Sequence, residues 1–325
     1  MTAATDALPV VDLTPGPGAD ERIAGEIGQA ARGVGFFFVT GHGIPTTLIE
    51  EVFSESARFF ALDLAEKEKQ SIRNSPHNRG YVAMQGESLD PSMPADLKEA
   101  FNIGLNLAPD DPRVIAGEPF RGVNLWPDLP GWRDTMLTYF DAVWSVGRRL
   151  HRGVAIDLGL SPDYFEDKLD QPMATLRLLH YPTQPQEEGL FGSAPHTDYG
   201  FITLLAQDDV GGLEVKNKAG DWVPAPPIPD SFVMNVGDIL ARWSNDVFVS
   251  TPHRVINRTG RERYSQPFFF DPSMDETIEA LPVCVPAGAS AKYPPVLYGD
   301  YLMERIDKNY HYRKKQAAEA AAARG

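Results

Sequence analysis

Residues 193–205 read SAPHTDYGFITLL, and the fold of the whole chain turns on this stretch. Its aromatic and β-branched residues suit a strand, yet it carries an imidazole and a carboxylate two positions apart, His196 and Asp198. Side chains at i and i+2 of a strand point to the same side. A strand here would therefore offer one nitrogen and one oxygen to a single point. Taken alone, the pair is equally well explained as a hydrogen bond on a sheet.

The surroundings of this stretch are β in character. From residue 175 the chain divides into short runs, TLRLLHYP, GFITLLAQD, GLEVKN, DWVPAP, SFVMNVGDIL, STPHRVIN and RYSQPFFF, separated by Gly, Pro, Asn and Asp. About seven short strands with turns between them predict an antiparallel sandwich or jelly roll. Gly211, Gly212, Gly237 and Asp238 are assigned to those turns. Upstream the pattern is α/β. LPVVDL at 8–13 predicts a strand, and Ile23, Ile27 and Ala31 share one face of a helix over 19–33 that Gly33 should stop. GFFFVTG predicts a buried strand, and Thr47 with Glu50 forms a capping box opening a helix to about Lys69. Residues 71–95 are loop-rich, and Trp132, Met136, Phe140, Val143, Leu150 and Val154 predict a long helix over 131–158. The tail after Gly299 is helical in pattern.

Of the 325 residues, 30 are Lys or Arg and 45 are Asp or Glu, a formal charge of −15. So acidic a body repels phosphate backbones and anionic bilayers, so neither nucleic acid nor a membrane is an expected partner. Cys284 is the sole cysteine, which rules out an internal disulfide and suits a reducing compartment. MTAATDALPVVDL has no basic start followed by a long apolar run, and GVGFFFVTG is far too short to span a bilayer. The expectation is a cytoplasmic protein, monomeric or a weak homo-oligomer.

A metal site needs a third ligand. Of the seven histidines, His42 falls in a turn, His77 in a loop, His151 in the long helix, His180 beside Tyr181 on a strand and His311 in the tail. His253, in STPHRVIN, is the best candidate. Two histidines and one carboxylate make the facial triad of non-haem Fe(II) oxygenases, which leaves half the coordination sphere open. Ten residues further on, Arg263 and Ser265 again share a strand face, with a turn at Thr259 and Gly260 between the runs. If those runs form a hairpin, residue 253 lies opposite 266. Arg263 is then about three residues along, roughly 10 Å from the metal at ~3.3 Å per residue. A five-carbon diacid could span that gap, its far carboxylate held by a guanidinium fork and a hydroxyl. The plainer alternative for Arg263 is a surface cation on an edge strand.

The motifs in order resemble the isopenicillin N synthase-like branch of the Fe(II)/2-oxoglutarate-dependent dioxygenases. They are LPVVDL, GFFFVTGHGIP, RGY at 79–81, DLKEAFNIG at 96–104, HYP at 180–182, HTDYGFITLLAQDDVGGLEV, NVGDILARWSN, STPHRVIN and RYSQPFFFDP. The resemblance covers nearly the whole chain. It implies a mainly β fold with flanking helices, built on a double-stranded β-helix (a cupin-like jelly roll) with an α/β N-terminal region. It divides the chain into an N-terminal dioxygenase region (1–125), a long helix and connection (126–170), the jelly-roll core (171–275) and a C-terminal extension and helix (276–325). It implies His196, Asp198 and His253 as iron ligands, and Arg263 and Ser265 on the distal carboxylate of 2-oxoglutarate. Tyr181 would add a hydroxyl to that cosubstrate, with Asn235 close by. The implied reaction consumes O2 and 2-oxoglutarate, releases succinate and CO2, and hydroxylates, desaturates or cyclises a small organic substrate. Two departures stand out. Leu179 replaces the Asn frequent in plant members two residues before Tyr181, and Gln266 replaces an apolar residue and should face away from Arg263.

Two other readings fit the same motifs. Oxidases of the isopenicillin N synthase and ACC oxidase type share the framework without using 2-oxoglutarate, and a jelly-roll sensor could hold a redox-silent metal. Substrate contacts are sought in residues 82–95, 100–106 and 184–194. Phe101, Asn102, Phe191, Trp243, Phe269 and Arg177 are the candidates, each with a packing or ion-pair alternative.

Overall fold

The computed structural model describes residues 7–87, 95–169, 171–183 and 189–309. The first strand, β1 (Val10–Asp12), leads into α1 (Ala19–Gly33) and β2 (Phe36–Thr40) as the periodicity predicts. Ile23 and Ile27 are buried on one face of α1. The helix is stopped by Gly35 rather than Gly33. Gly35 adopts φ 71°, and its N–H donates to the Ala30 carbonyl at 2.9 Å, the left-handed ending that glycine makes at least cost.

The capping box at Thr47 and Glu50 does not form. The next helix, α2 (Thr46–Phe60), starts after Pro45 without a side-chain cap, so Thr47 lies inside its first turn, and the Thr46 hydroxyl donates to Asp230 at 2.8 Å. Nor does it run to Lys69. The chain breaks at Phe60 and restarts as α3 (Leu64–Glu68), which brings the Lys67 ammonium back onto the Phe60 carbonyl at 3.0 Å and onto Glu99 at 2.8 Å.

Two strands, β3 (Gly80–Val82) and β4 (Glu99–Gly104), come from segments without strand periodicity. Every residue of β4 is buried, so no polar–apolar alternation marks it. After α4 (Pro112–Ala116) comes α5 (Trp132–Asp157), within one residue of expectation at each end. The β region then supplies β5 (Met173–Tyr181), β6 (Ser193–His196), β7 (Ile202–Gln207), β8 (Leu213–Lys216), β9 (Trp222–Pro224), β10 (Phe232–Val236), β11 (His253–Val255) and β12 (Arg263–Asp271). Between β10 and β11, residues expected to continue as strand and turn form α6 (Asp238–Trp243), so Asp238 opens a helix with Gly237 at its N-cap. The last described helix is α7 (Tyr298–Asn309).

The strands form an eight-stranded sheet in the order β1-β2-β10-β7-β12-β5-β4-β3 and a four-stranded sheet in the order β6-β11-β8-β9. These are the two faces of a jelly roll. Their pairing overturns the expected hairpin. β11 does not lie against β12; it lies between β6 and β8, with His253 opposite both His196 and Val215. β12 lies between β5 and β7 in the other sheet, with Arg263 opposite Tyr181. Residues 257–262 therefore carry the chain from one sheet to the other, as strands of a sandwich do at its corners.

Helix α5 packs on the large sheet, and Gly147 faces Phe270 of β12 there. A Cβ there would lie 2.1 Å from the Phe270 ring. That ring cannot readily yield, being wedged against His151, Trp144 and Phe268. Alanine normally favours a helix by ~1 kcal/mol over glycine, yet Gly147→Ala is expected to destabilise the protein by about 1–3 kcal/mol through overpacking. Chemical denaturation measures this directly; an unchanged or raised midpoint would show that the interface gives way.

Candidate metal centre

The strand carrying the opening motif ends at His196, so Asp198 lies just beyond β6 rather than on it. The two side chains nevertheless converge, and β11 brings His253 alongside. One ligand atom from each of His196, Asp198 and His253 lies within 4.8 Å of the others. Asp198 Oδ1 is 3.8 Å from His196 Nε2 and 3.7 Å from His253 Nε2, too long for hydrogen bonds.

Each group is held by its other polar atom. His196 Nδ1–H donates to the Ala194 carbonyl at 2.7 Å, and His253 Nδ1–H to the Thr251 carbonyl at 3.2 Å. A carbonyl can only accept, so each proton is on Nδ1 and each Nε2 lone pair faces Asp198. Asp198 Oδ2 accepts from the Thr203 hydroxyl at 2.5 Å and from Asn235 Nδ2 at 2.8 Å, which leaves Oδ1 to the imidazoles. Asn235 thus orients the carboxylate, whereas the family resemblance groups it with the cosubstrate. Burial, then the adjacent His253, pushes His196 down to about 3, so its imidazole is neutral near pH 7. Burial by itself would raise Asp198, but the positive charge the imidazoles carry when protonated and the hydrogen bonds from Thr203 and Asn235 outweigh it and hold the carboxyl below the ordinary carboxylate range. Two imidazoles and a carboxylate, each oriented from behind, suit a divalent ion of the first transition row.

The three groups open onto a cavity of about 160 Å³ between the two sheets. Arg263 looks into it from β12 and is fully buried. Its Nε donates to the Gly211 carbonyl at 2.6 Å, Nη1 to the Ser265 hydroxyl at 3.0 Å and Nη2 to Gln207 at 3.2 Å, with the Tyr181 ring 4.7 Å away. No carboxylate among the described residues forms an ion pair with it. Gln266 is also fully buried but is absent from the cavity wall, and neither polar atom of its side chain has a partner among the described residues.

Of the substrate candidates, Asn102, Arg177 and Phe269 line the cavity. Phe101, Phe191 and Trp243 are not among its described lining residues. Phe101 points to the opposite face of β4, against Phe59 and Trp132, because neighbours on a strand alternate. Trp243 packs between Phe165 and Phe201, and Phe191 lies beside Arg254. Residues 88–94 and 184–188 of the expected walls, and His311, lie outside the described residues. Glu87 lies in the expected wall segment 82–95, whereas Lys98 and Asp271, together with Leu302 and Ile306 of α7, are wall residues outside the expected segments.

Asp271 accepts the Phe201 N–H at 2.8 Å, and its burial pushes it up to about 7 from an ordinary 3.8. Between about pH 4 and 7 the native protein therefore keeps a proton that the unfolded chain has lost, so stability falls as pH rises through that window. Asp271→Asn removes the ionisable group. In metal-free protein the variant is expected to match the parent at pH 4 and to exceed its melting temperature at pH 8. Parallel melting curves across that range would mean Asp271 titrates normally.

Comparison with known proteins gives a consistent picture. Residues 8–129 match the family described as non-haem dioxygenase in morphine synthesis N-terminal, and residues 172–272 match the 2OG-Fe(II) oxygenase superfamily. A 2-oxoglutarate-Fe(II) type oxidoreductase of Emericella nidulans is 36% identical, with 98% of this chain and 96% of the relative covered. Homoarginine-6-hydroxylase of Oryza sativa is 35% identical, covering 94% and 98%. Among solved structures, a full-length Neurospora crassa protein in complex with alpha-KG superposes with a TM-score of 0.83 at 33% identity, over 94% of this chain and 98% of that one. The same Neurospora protein with alpha-KG and thymine superposes at 0.82.

Proposed function

This chain belongs to the 2OG-Fe(II) oxygenase superfamily and is a non-haem Fe(II)- and 2-oxoglutarate-dependent dioxygenase of a small organic substrate; from that premise we propose which residues do the work. His196, Asp198 and His253 hold the iron through Nε2, Oδ1 and Nε2. Arg263 and Ser265 hold the far carboxylate of 2-oxoglutarate, and Tyr181 borders the same end of the cavity. One observation carries the assignment: a fully buried guanidinium without an ion-pair partner among the described residues shares a cavity with three converging ligand atoms. A buried, unpaired cation is strongly unfavourable, and an anionic cosubstrate relieves that cost.

Iron at this position supplies the activation of dioxygen that couples loss of CO2 from 2-oxoglutarate to oxidation of the substrate. The chain's own contribution is positional. Thr203 and Asn235 fix the carboxylate, and the Ala194 and Thr251 carbonyls fix the imidazoles. The Gly211 carbonyl and Gln207 aim the Arg263 fork, and the apolar walls exclude water. No side chain is required as an acid or base. The likeness to the Neurospora protein bound to thymine favours a compact substrate beside the metal. We further infer a cytoplasmic monomer or weak homo-oligomer. The acidic sequence supports this reading, and no helix among the described residues is long and apolar enough to cross a membrane.

Anaerobic visible-absorption titration tests the assignment. Adding 2-oxoglutarate to Fe(II)-loaded protein should produce a charge-transfer band, and Arg263→Ala should move its appearance to higher 2-oxoglutarate concentration. If Fe(II) binds and no band develops, Arg263 clamps a substrate carboxylate instead, as in the oxidases that dispense with 2-oxoglutarate.

A further inference from the structure

We propose that the prime substrate is an uncharged polar molecule carrying an N–H group, of the cyclic amide or imide type, and that a closed ion-pair network in the cavity wall rejects charged analogues. The inference rests on the metal and cosubstrate assignment above, which accounts for Asp198 and Arg263.

The remaining charged wall is balanced within itself. Arg177 grips Glu87 with both arms of its guanidinium, at 2.6 and 3.2 Å. Lys98 lies 3.5 Å from the same Glu87 and donates to Asp96 at 2.9 Å and to the Ser193 hydroxyl at 2.8 Å. Asp96 also accepts the Ala194 N–H at 2.9 Å, so its position is tied to the strand that ends in His196. All four charged side chains are almost completely buried. Burial alone would raise Glu87 and lower Lys98, but their partners reverse both effects and keep both groups charged. Two cations and two anions thus cancel one another. Among the described lining residues the one other acid is Asp271, which burial pushes up to about 7, so near neutral pH it carries only part of a negative charge.

Among the described residues, a charged substrate group entering this wall meets no spare counter-charge. To gain one it must break a pair and leave a buried ion without its partner, which is strongly unfavourable. An uncharged group carries no such penalty. The wall also holds an acceptor that lacks a donor. Asn102, directly opposite Arg177 on the neighbouring strand, is 1% exposed, and its Oδ1 has no partner among the described residues. An N–H on the substrate satisfies it. Apolar side chains, among them Phe36, Leu179, Phe269, Leu302 and Ile306, share the wall with uncharged polar ones such as Asn78, Thr175 and Thr197, and the cavity's volume of about 160 Å³ suits a small ring.

The test is calorimetric titration of the anaerobic holoenzyme, loaded with Fe(II) and 2-oxoglutarate. Probes fall in three charge classes: thymine and other cyclic amides; uracil-5-carboxylate and benzoate; homoarginine and benzylamine. Thymine is expected to bind at least tenfold tighter than uracil-5-carboxylate, and the binders found should be uncharged. Glu87→Gln removes the negative charge that Arg177 grips and should shift the thymine-to-carboxylate ratio at least tenfold toward the carboxylate. Arg177→Gln should shift selectivity toward the cations. Opposite shifts from two halves of one pair would not arise from a purely structural role. A charged probe that binds wild-type protein as tightly as its uncharged match overturns the proposal, as do folded variants with unaltered ratios. If a variant does not fold, the wild-type ratios decide. The heat of 2-oxoglutarate binding, measured first in the same samples, separates the two levels. Its absence overturns the cosubstrate assignment, whereas normal 2-oxoglutarate binding with a preference for charged probes overturns this inference alone.

Discussion

Alanine at Asp198, His196 or His253 is expected to lower 2-oxoglutarate-dependent succinate formation by at least about a hundredfold, since loss of even an outer partner of a metal ligand typically costs 10–100-fold. The effect should appear first as lost iron. Metal analysis after anaerobic reconstitution should give near-stoichiometric Fe(II) in the parent and a small fraction of that in each variant. The fold should persist, because all three groups border a cavity and do not fill the core. Far-UV circular dichroism and a cooperative melt check this. Asp198→Ala carries an additional stability cost of about 1–3 kcal/mol, because Thr203 and Asn235 both donate to the carboxylate and would be left buried without an acceptor. Asn235→Ala and Thr203→Val should fall between parent and ligand variants in iron affinity. A variant at 196, 198 or 253 that retains full turnover removes that residue from the metal site.

Arg263→Ala is expected to raise the KM for 2-oxoglutarate roughly 10–150-fold, the equivalent of one charge-assisted interaction of about 1.5–3 kcal/mol. The kcat at saturating 2-oxoglutarate should change much less, since the guanidinium holds the end of the cosubstrate remote from the metal. Arg263→Lys should recover only part of the loss. A point charge replaces the positive charge but not the fork whose other arms are fixed by Gly211 and Gln207. Steady-state kinetics with varied 2-oxoglutarate distinguishes these cases. An unchanged KM in Arg263→Ala would show that the arginine serves something other than this carboxylate.

Much of this site can be read from local pattern, and the failures have definite physical causes. His196 and Asp198 stand out because two chelating side chains two residues apart in a β context are conspicuous, although the strand ends between them. Arg263 and Ser265 stand out for the same reason, and they do share a face and a hydrogen bond. The hairpin inferred between residues 253 and 263 failed because turn residues show that a chain changes direction but not which sheet it enters. In this fold it enters the other sheet, and the neighbour of His253 is His196 rather than residue 266. The capping box failed because the helix begins one residue earlier than Thr47, after Pro45, which places Thr47 inside the first turn; the Thr46 hydroxyl meanwhile bonds Asp230, 184 residues distant, a partner that no window of sequence can display.

Short-range order, namely the alternation of strands, the stripe of the long helix and the spacing of paired ligands, was therefore legible in the amino-acid sequence, because it depends on residues within a few positions of one another. The assembly of the cavity was not. Asp96 and Lys98 look like ordinary solvated charges in their own segments, and nothing local shows that Glu87 and Arg177 pair with each other or that Lys98 joins them. They form a buried, neutral wall because β4 and β5 pair in one register and β6 is drawn alongside. Inward-facing charge is settled by the sum of long-range pairing and desolvation, and that sum exists only once the sheets have closed.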